Sequence, residues 1–456
     1  MKKFIPTLLI SLICISGAWA QQCKPEPPHP PELDKCINLD QALELAFRYN
    51  PNIKIAVDQL QRSRGSVNEA RAAFNPKFSA VGQHSRQTEV IIDLGGGTNL
   101  TFQKPISNEG WLTMALPLDV NKQLGYTRDI AKYQFDIQYL SLLSVSEDLI
   151  LSVKTAYYDL LRACGQKDVA QAAVDVAQTR LDNTTARFNA GTVAKFDVTT
   201  AQTDLANLNQ SLIQAQNRVL VAQAALNRVL GVDVNIPTQI VKETPAIQGV
   251  PVDVPAAIET AYAKRPEVIA QETVIKAREK GIRLEKSAYY PTLSLSSSYG
   301  YTFATTGLNT GTPEYQTALT ANIPIWNGGI TRARVEQAQA DFQNAQDTLD
   351  QTQLAVSLDV RTAALTLEEA AKRVSTTQQN VDLAEEALRL ANVRYDAGIA
   401  ILVEVTNAES QLTQARFNNV NAQYDYATAQ AQLQRATSCI PELERLALLN
   451  PVETKP

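Results

Sequence analysis

Histidine is almost missing from this chain. The two residues, His29 and His84, stand in no patterned cluster of Cys, Asp or Glu. Metal-centred and histidine-based acid–base chemistry therefore has no visible home. No glycine-rich loop follows a strand pattern as a phosphate cradle requires, and "GGGTN" at Gly95 reads as a hairpin loop on context. Basic charge is short too. The 42 Lys and Arg against 47 Asp and Glu give −5, a poor match to nucleic acid. Beyond the N-terminus no run of about 18 apolar residues occurs, so no transmembrane helix is expected. The inventory points to no enzyme and no cofactor. The acids and bases spread over the helices read as solvated faces.

The N-terminus has the layout of a secretory signal. Lys2 and Lys3 precede a mostly apolar stretch, Phe4 to Ile15, and Ala18-Trp19-Ala20 is a small-x-small cleavage site. Residues 1–20 are expected to be removed, leaving Gln21 as the new start. Export would place Cys23, Cys36, Cys164 and Cys439 in an oxidising compartment, where three pairings of four cysteines are open.

Past a proline-rich segment at 21–37, the chain repeats itself. Pro51 and Pro266, like Pro76 and Pro291, lie 215 residues apart. Further on, Pro117 and Pro324, Phe135 and Phe342, Gly191 and Gly398, and Leu226 and Leu433 all lie 207 apart. The chain reads as a tandem duplication. Repeat 1 covers 38–231 and repeat 2 covers 253–437, joined by a linker at 232–252 and followed by a tail at 438–456. The change of offset falls between Pro76 and Pro117, giving repeat 1 the longer loop.

Each repeat opens with a helical pattern, entered in the first copy through Asn38 or Asp40. The period then drops to two. Leu293, Leu295, Tyr299, Tyr301 and Phe303 alternate with Thr and Ser, and Tyr315 to Ile325 alternate likewise. That predicts strand hairpins at about 77–119 and about 292–326. Four strands cannot close a barrel, and an open edge in lipid would leave backbone groups unsatisfied. Aromatics gather in these stretches, among them Phe78, Phe102, Trp111, Tyr289, Tyr290, Tyr299, Tyr315 and Trp326, and are candidates for interfacial girdles.

The helical period then returns for a long way. Between Pro324 and Pro441 there is no proline, and Gly328, Gly329 and Gly398 are the only glycines. Apolar or small residues from Ala338 through Val356, Ala370 and Leu388 to Tyr395 step by four and three, as in a coiled-coil seam. About 68 residues at 1.5 Å each predict a rod of about 100 Å. "RFNAGTVAKFDV" (Arg187 to Val198) and "RYDAGIAILVEV" (Arg394 to Val405) interrupt the two rods. Gly191 and Gly398 are predicted to take positive φ and end the helices, with Asp197, or Thr199 after it, capping the first return helix. The tips fall at 190–198 and 397–405.

The layout resembles the TolC-type outer-membrane efflux proteins. The resemblance runs from about Leu39 to Thr437. It rests on the duplication, Asn50-Pro51 and Arg265-Pro266, "IPIWNGG" entering the second rod, and both tips, where a glycine is followed by an acid and valine in "AGTVAKFDV" and "AGIAILVEV". It implies a mixed α/β membrane protein. Three copies would each give four strands to one twelve-stranded barrel, continuous with a long α-helical barrel through the periplasm. It implies a passive exit duct in the outer-membrane lipid, joined through a periplasmic adaptor to an inner-membrane transporter of RND or ABC type. Such ducts serve drug efflux, metal efflux or type I secretion.

Carried over residue by residue, Glu404, Asn407 and Asp197 match positions of the channel constriction. Tyr395 matches a closing contact. The adaptor would dock on Gly191, Thr192, Val193, Gly398, Ile399 and Ala400. Some members have an arginine where this chain has Ala400, and Lys195 is the candidate substitute. A ring of Glu404 carboxylates would make the pore prefer cations. Cys36 and Cys439 flank helical ends expected to meet near the waist of the tunnel and are the favoured disulfide, with Cys23–Cys36 and Cys164–Cys439 left open. The competing readings are a secreted coiled-coil scaffold, which needs no strand hairpins, and a periplasmic adaptor, which would lack two of them.

Overall fold

Two prolines set the first joints of the molecule. α1 (Leu39–Tyr49) starts at a capping box in which Asn38 and Gln41 bond each other's backbone, so Asn38 rather than Asp40 is the cap. It stops at Asn50, whose ψ of 126° is forced by the proline that follows. Pro51 then opens α2 (Pro51–Ala72). The sequence pattern suggests one helix here; the structure has two, because proline offers no N–H to continue the ladder. The computed structural model describes residues 36–86, 88, 90–93, 99–103, 106–242, 252–304 and 313–442. The signal segment, Cys23, His29, the "GGGTN" loop, residues 243–251 of the linker and residues 443–456 of the tail lie outside them.

The strands are β1 (Lys77–Arg86), β2 (Val90–Asp93), β3 (Asn99–Gln103) and β4 (Ile106–Leu118), then β5 (Thr292–Ala304) and β6 (Pro313–Asn322). One antiparallel sheet runs β1-β4-β5-β6, and β2 with β3 form a separate ribbon within the longer first loop. β6 ends before Ile323, Ile325 and Trp326, which were expected inside it. Pro324 and the positive φ of Gly328 and Gly329 turn the chain away from the ladder there.

Register fixes the two faces of this sheet, since directly opposed residues point the same way. Ala80, Leu112, Tyr299 and Tyr315 form one row across all four strands. Phe78 with Met114, and Leu295 with Leu319, lie on the same side. The opposite face carries Ser79, Thr113, Ser298 and Gln316. Trp111 belongs to that second face, which corrects its grouping with the other aromatics. Its indole lies over Gly300, where any Cβ would fall 2.1 Å from the ring.

α5 (Val254–Lys264) and α6 (Pro266–Ser287) repeat the first joint, with Arg265 at ψ 125° before Pro266. The rods are α3 (Gln123–Asn189) and α7 (Ile330–Asp396), 67 residues each, close to 100 Å at the helical rise. Their return partners are α4 (Lys195–Leu230) and α8 (Leu402–Ala436). The seam of α7 is buried as its period requires. Val356, Val360 and Ala363 meet Ala261, Val268 and Ala436; Ala370 and Val374 meet Ala422 and Tyr426; Val381 and Ala384 meet Leu412 and Ala415. The widest apolar core sits at mid-length, where Ile37, Leu43, Phe47, Tyr157, Leu226, Leu230 and Ile440 cluster. Tyr157, fully buried, donates its hydroxyl to the Val241 carbonyl at 3.1 Å.

Beside this core lies a buried charge hub. Arg435 of α8 reaches Glu147 at 2.9 Å, Asp148 at 2.7 Å and Glu267, and its Nη2 donates to Ser144 at 3.2 Å. Cys36 and Cys439 are not joined, contrary to expectation. The Cys36 thiol donates to Gln239 at 3.5 Å, while Cys439 accepts from Lys264 at 3.9 Å, so the two sulfurs face different elements. Cys164 is also a free thiol.

Candidate functional site

Both rods end in the same backbone device. Gly191 and Gly398 have φ of 77° and 73°. Thr192 N–H bonds the Arg187 carbonyl at 3.0 Å, and Gly191 N–H bonds Phe188 at 2.8 Å. Ile399 and Gly398 bond Arg394 and Tyr395 in the same way, at 2.9 and 3.0 Å. These are Schellman closures, which satisfy the last free carbonyls of each helix. The return helices start without a side-chain cap. Ala194 and Ile401 hold the cap positions, so neither Asp197 nor Thr199 caps α4. Asp197 and Glu404 sit in the first turn, where a carboxylate is favoured by the helix dipole.

Among the described residues, ion-pair and ring contacts at the tips include Tyr395 but not Lys195. Ala400 is buried, and Lys195 is exposed and has no ion pair among the described residues. Arginines not singled out in the sequence hold the tips instead. Arg394 meets Glu404 at 3.2 Å within the second tip. Arg187 crosses to the other hairpin, donating to Asp396 at 2.7 Å with its guanidinium over the Tyr395 ring at 5.2 Å. That hydrogen bond to Asp396 pushes Arg187 above its usual range. Asp197 has no ion pair among the described residues.

One heptad above, Arg180 joins three helices. Only 10% exposed, it meets Glu409 of α8 and lies 3.7 Å from Asp204 of α4. Burial pushes the Glu409 carboxyl up, Arg180 opposes that, and Asp204 adds to it. Arg180 separates two clefts between the hairpins. The lower, about 430 Å³, is lined by Arg187, Asn392, Tyr395 and Asp396. The other, about 410 Å³, is lined by Asp204, Asn207, Asn407 and Phe417. Asn407 is thus an exposed wall residue of the second cleft. Thr192, Ile399 and Phe196 stand out at the extreme end, exposed. Arg187 and Arg394 were visible in "RFNAG" and "RYDAG"; the Arg187–Asp396 and Arg180–Glu409 pairings were not, because 209 and 229 residues separate the partners.

The outer membrane efflux protein family matches residues 42–232 and again 257–438. The chain belongs to that family. It is therefore an outer-membrane protein of the efflux-channel type. It is 25% identical to outer membrane protein TolC of Escherichia coli strain K12 over 479 residues, covering 100% of this chain and 91% of TolC. It is 24% identical to the solvent efflux pump outer membrane protein SrpC of Pseudomonas putida, over 90% of this chain and 87% of that one. Toxin and drug export protein A of Aggregatibacter actinomycetemcomitans is 23% identical, with 86% of each chain covered. Among solved structures, VceC of Vibrio cholerae aligns with a TM-score of 0.75 at 18% identity, covering 88% of this chain and 95% of VceC. CmeC of Campylobacter jejuni aligns with 0.76 at 16%, over 88% and 85%. Both share the fold. By name, the Pseudomonas relative belongs to a solvent efflux pump and the Aggregatibacter relative is a toxin and drug export protein.

Proposed function

We propose that three copies of this chain form one passive exit duct, built from a tandem-duplicated protomer. The carrying observation is the sheet. A mostly apolar row crosses all four strands, the reverse face is polar, and β1 and β6 each present an open edge. In lipid both edges need partners. Pairing β6 of one copy with β1 of the next closes a barrel with lipid outside and polar side chains within. The rods then extend the duct through the periplasm.

The tips are the far end. Thr192, Val193 and Ile399, beside Gly191 and Gly398, are the adaptor-docking surface, with Ala400 buried behind it, and through this surface an inner-membrane transporter delivers its substrate. Arg187–Asp396 and Arg394–Glu404 hold the tips together, with Tyr395 packed under Arg187. Asp197, Glu404 and Asn407 bound the constriction. Mass measurement in mild detergent and conductance in planar bilayers test the duct: a trimer with discrete conductance steps is expected, and a stable, non-conducting monomer would overturn it.

A further inference from the structure

Within the chain, α3 and α8 are laced by a polar seam. Arg162 of α3 lies 3.0 Å from Asp425 of α8. Gln166 donates to Asn421 at 2.7 Å, Lys154 to Gln434 at 2.7 Å, and Arg435 to Asp148 at 2.7 Å. The counterparts of these helices, α7 and α4, do not pack on each other in the chain.

Yet the corresponding positions carry surface of the kind an interface covers. Taking the 207-residue offset that separates Gly191 from Gly398, the places of Glu147, Leu151 and Tyr158 on α3 are taken on α7 by Leu354, Leu358 and Leu365. All three are more than half exposed. The places of Val420, Ala427 and Thr428 on α8 are taken on α4 by Ile213, Leu220 and Val221, also more than half exposed. Six large apolar side chains on one seam are a costly surface to leave in water.

The Arg162–Asp425 pair has a counterpart with its charges exchanged. Arg162 corresponds to Glu369, and Asp425 corresponds to Arg218. Arg218 is exposed and has no ion pair among the described residues. Glu369 is exposed, and its one ion pair among the described residues is with Arg373 of its own helix, at 3.6 Å.

We propose that α7 of one copy packs on α4 of the next in the geometry that α3 and α8 show within the chain, and that Glu369 pairs there with Arg218 of the neighbouring copy. The occupant of this face is a second copy of the same chain, and the inference rests on the trimeric reading above. The exchange of charge has a consequence for assembly. If α3 met the α4 of a neighbour, Arg162 would face Arg218. If α7 of one copy met the α8 of another, Glu369 would face Asp425. Both wrong pairings oppose like charges, so α3 selects α8 of its own chain and α7 selects α4 of the neighbour.

The test uses the full chain in membranes, with Cys23, Cys36, Cys164 and Cys439 replaced by serine. Arg218→Cys combined with Glu369→Cys, treated with a short bis-maleimide, should give covalent dimers and trimers on denaturing gels, while either single variant stays at monomer size. Arg218→Glu alone should lower the temperature at which the trimer dissociates by several degrees. Adding Glu369→Arg should recover most of that loss. A trimer by native mass without cross-links, or without recovery by the double reversal, overturns the pair while leaving the trimer standing. A monomeric wild type overturns both.

Discussion

Replacing Arg435 by methionine tests whether the mid-length hub fixes α8 to α3 and α6. Arg435 meets Glu147, Asp148 and Glu267 together, whereas Arg265 reaches only Glu267 among these three, at 3.4 Å, and the Glu147 side chain is 3% exposed. Removing one partner of a buried pair leaves the other desolvated and unmatched, a loss of about 3–5 kcal/mol. The pH dependence separates this from a packing defect. Burial pushes Glu267 up, but the Arg435 hydrogen bond and charge, with Ser144, outweigh it and hold the carboxyl at about 2 rather than 4.5. A carboxyl depressed on folding stabilises above its unfolded pKa and loses that contribution as pH falls through the folded value. The shift would be worth about 3 kcal/mol at full burial; with 31% of the side chain exposed, screening reduces it to about 2. Glu147 has the opposite sign. Burial raises it, and Arg435 and Ser438 only partly restrain it. Without Arg435 it rises further, so the variant should be most stable below the unfolded pKa and weaken as pH climbs through the folded one. Denaturant titration in detergent, followed by helical circular dichroism at about pH 7.5 and about pH 3, reads both effects. Wild type should lose stability on acidification and Arg435→Met should gain it. Equal midpoints at neutral pH, or parallel acid responses, would refute the reasoning.

Other substitutions probe the turns and the tip. Valine at Gly191 or Gly398 meets φ of 77° or 73°, which strains the turn by about 1–3 kcal/mol. Export should fail while the barrel remains inserted; normal export by both variants would remove the tips from the docking surface. Lys122 has a φ of 59° at the start of α3, where its counterpart in repeat 2 is Gly329 at 86°. Lys122→Gly should therefore relieve about 1 kcal/mol and raise the denaturant midpoint, and a lower midpoint would contradict that. Asp197→Asn should weaken block of the pore by a trivalent cation more than Glu404→Gln does, since Arg394 already meets the Glu404 charge. The reverse order in planar-bilayer recordings would place Glu404, not Asp197, as the free acid of the pore.

What was legible in the sequence was whatever depends on local spacing. The rods follow from a proline-free run with a four-three seam, and the hairpins follow from period two. The tip glycines take positive φ because a Schellman closure places its terminating residue in the left-handed region. What stayed hidden depends on contacts across the chain. Pro51 and Pro266 served as markers of repetition, yet each also splits a helix, because the residue before it cannot stay helical. The β2–β3 ribbon lies in a stretch whose length was visible but whose pairing was not. Trp111 was grouped with lipid-facing aromatics by residue type; its parity in β4 puts it on the polar face, over a glycine from the other repeat. The disulfide expectation placed Cys36 and Cys439 near one waist but could not tell which way either thiol points.

The tips show how small side-chain differences break the symmetry between repeats. Arg187 and Arg394 occupy equivalent positions, and so do Asp197 and Glu404. Glu404 has one methylene more than Asp197 and reaches the arginine of its own turn. Asp197 is shorter and leaves Arg187 free. The second difference decides where Arg187 goes: Asp396 offers a carboxylate on the neighbouring hairpin, whereas its counterpart Asn189 offers none. One arginine therefore closes a turn and the other ties two hairpins together. The link between hairpins can be broken without unfolding either, because each Schellman turn is closed by its own backbone bonds. The tip thus combines rigid turns with a solvent-exposed tether. Such a tether, which includes Arg187 at 42% and Asp396 at 65% exposure, contributes little to stability and can yield to a competing charge on a docking partner.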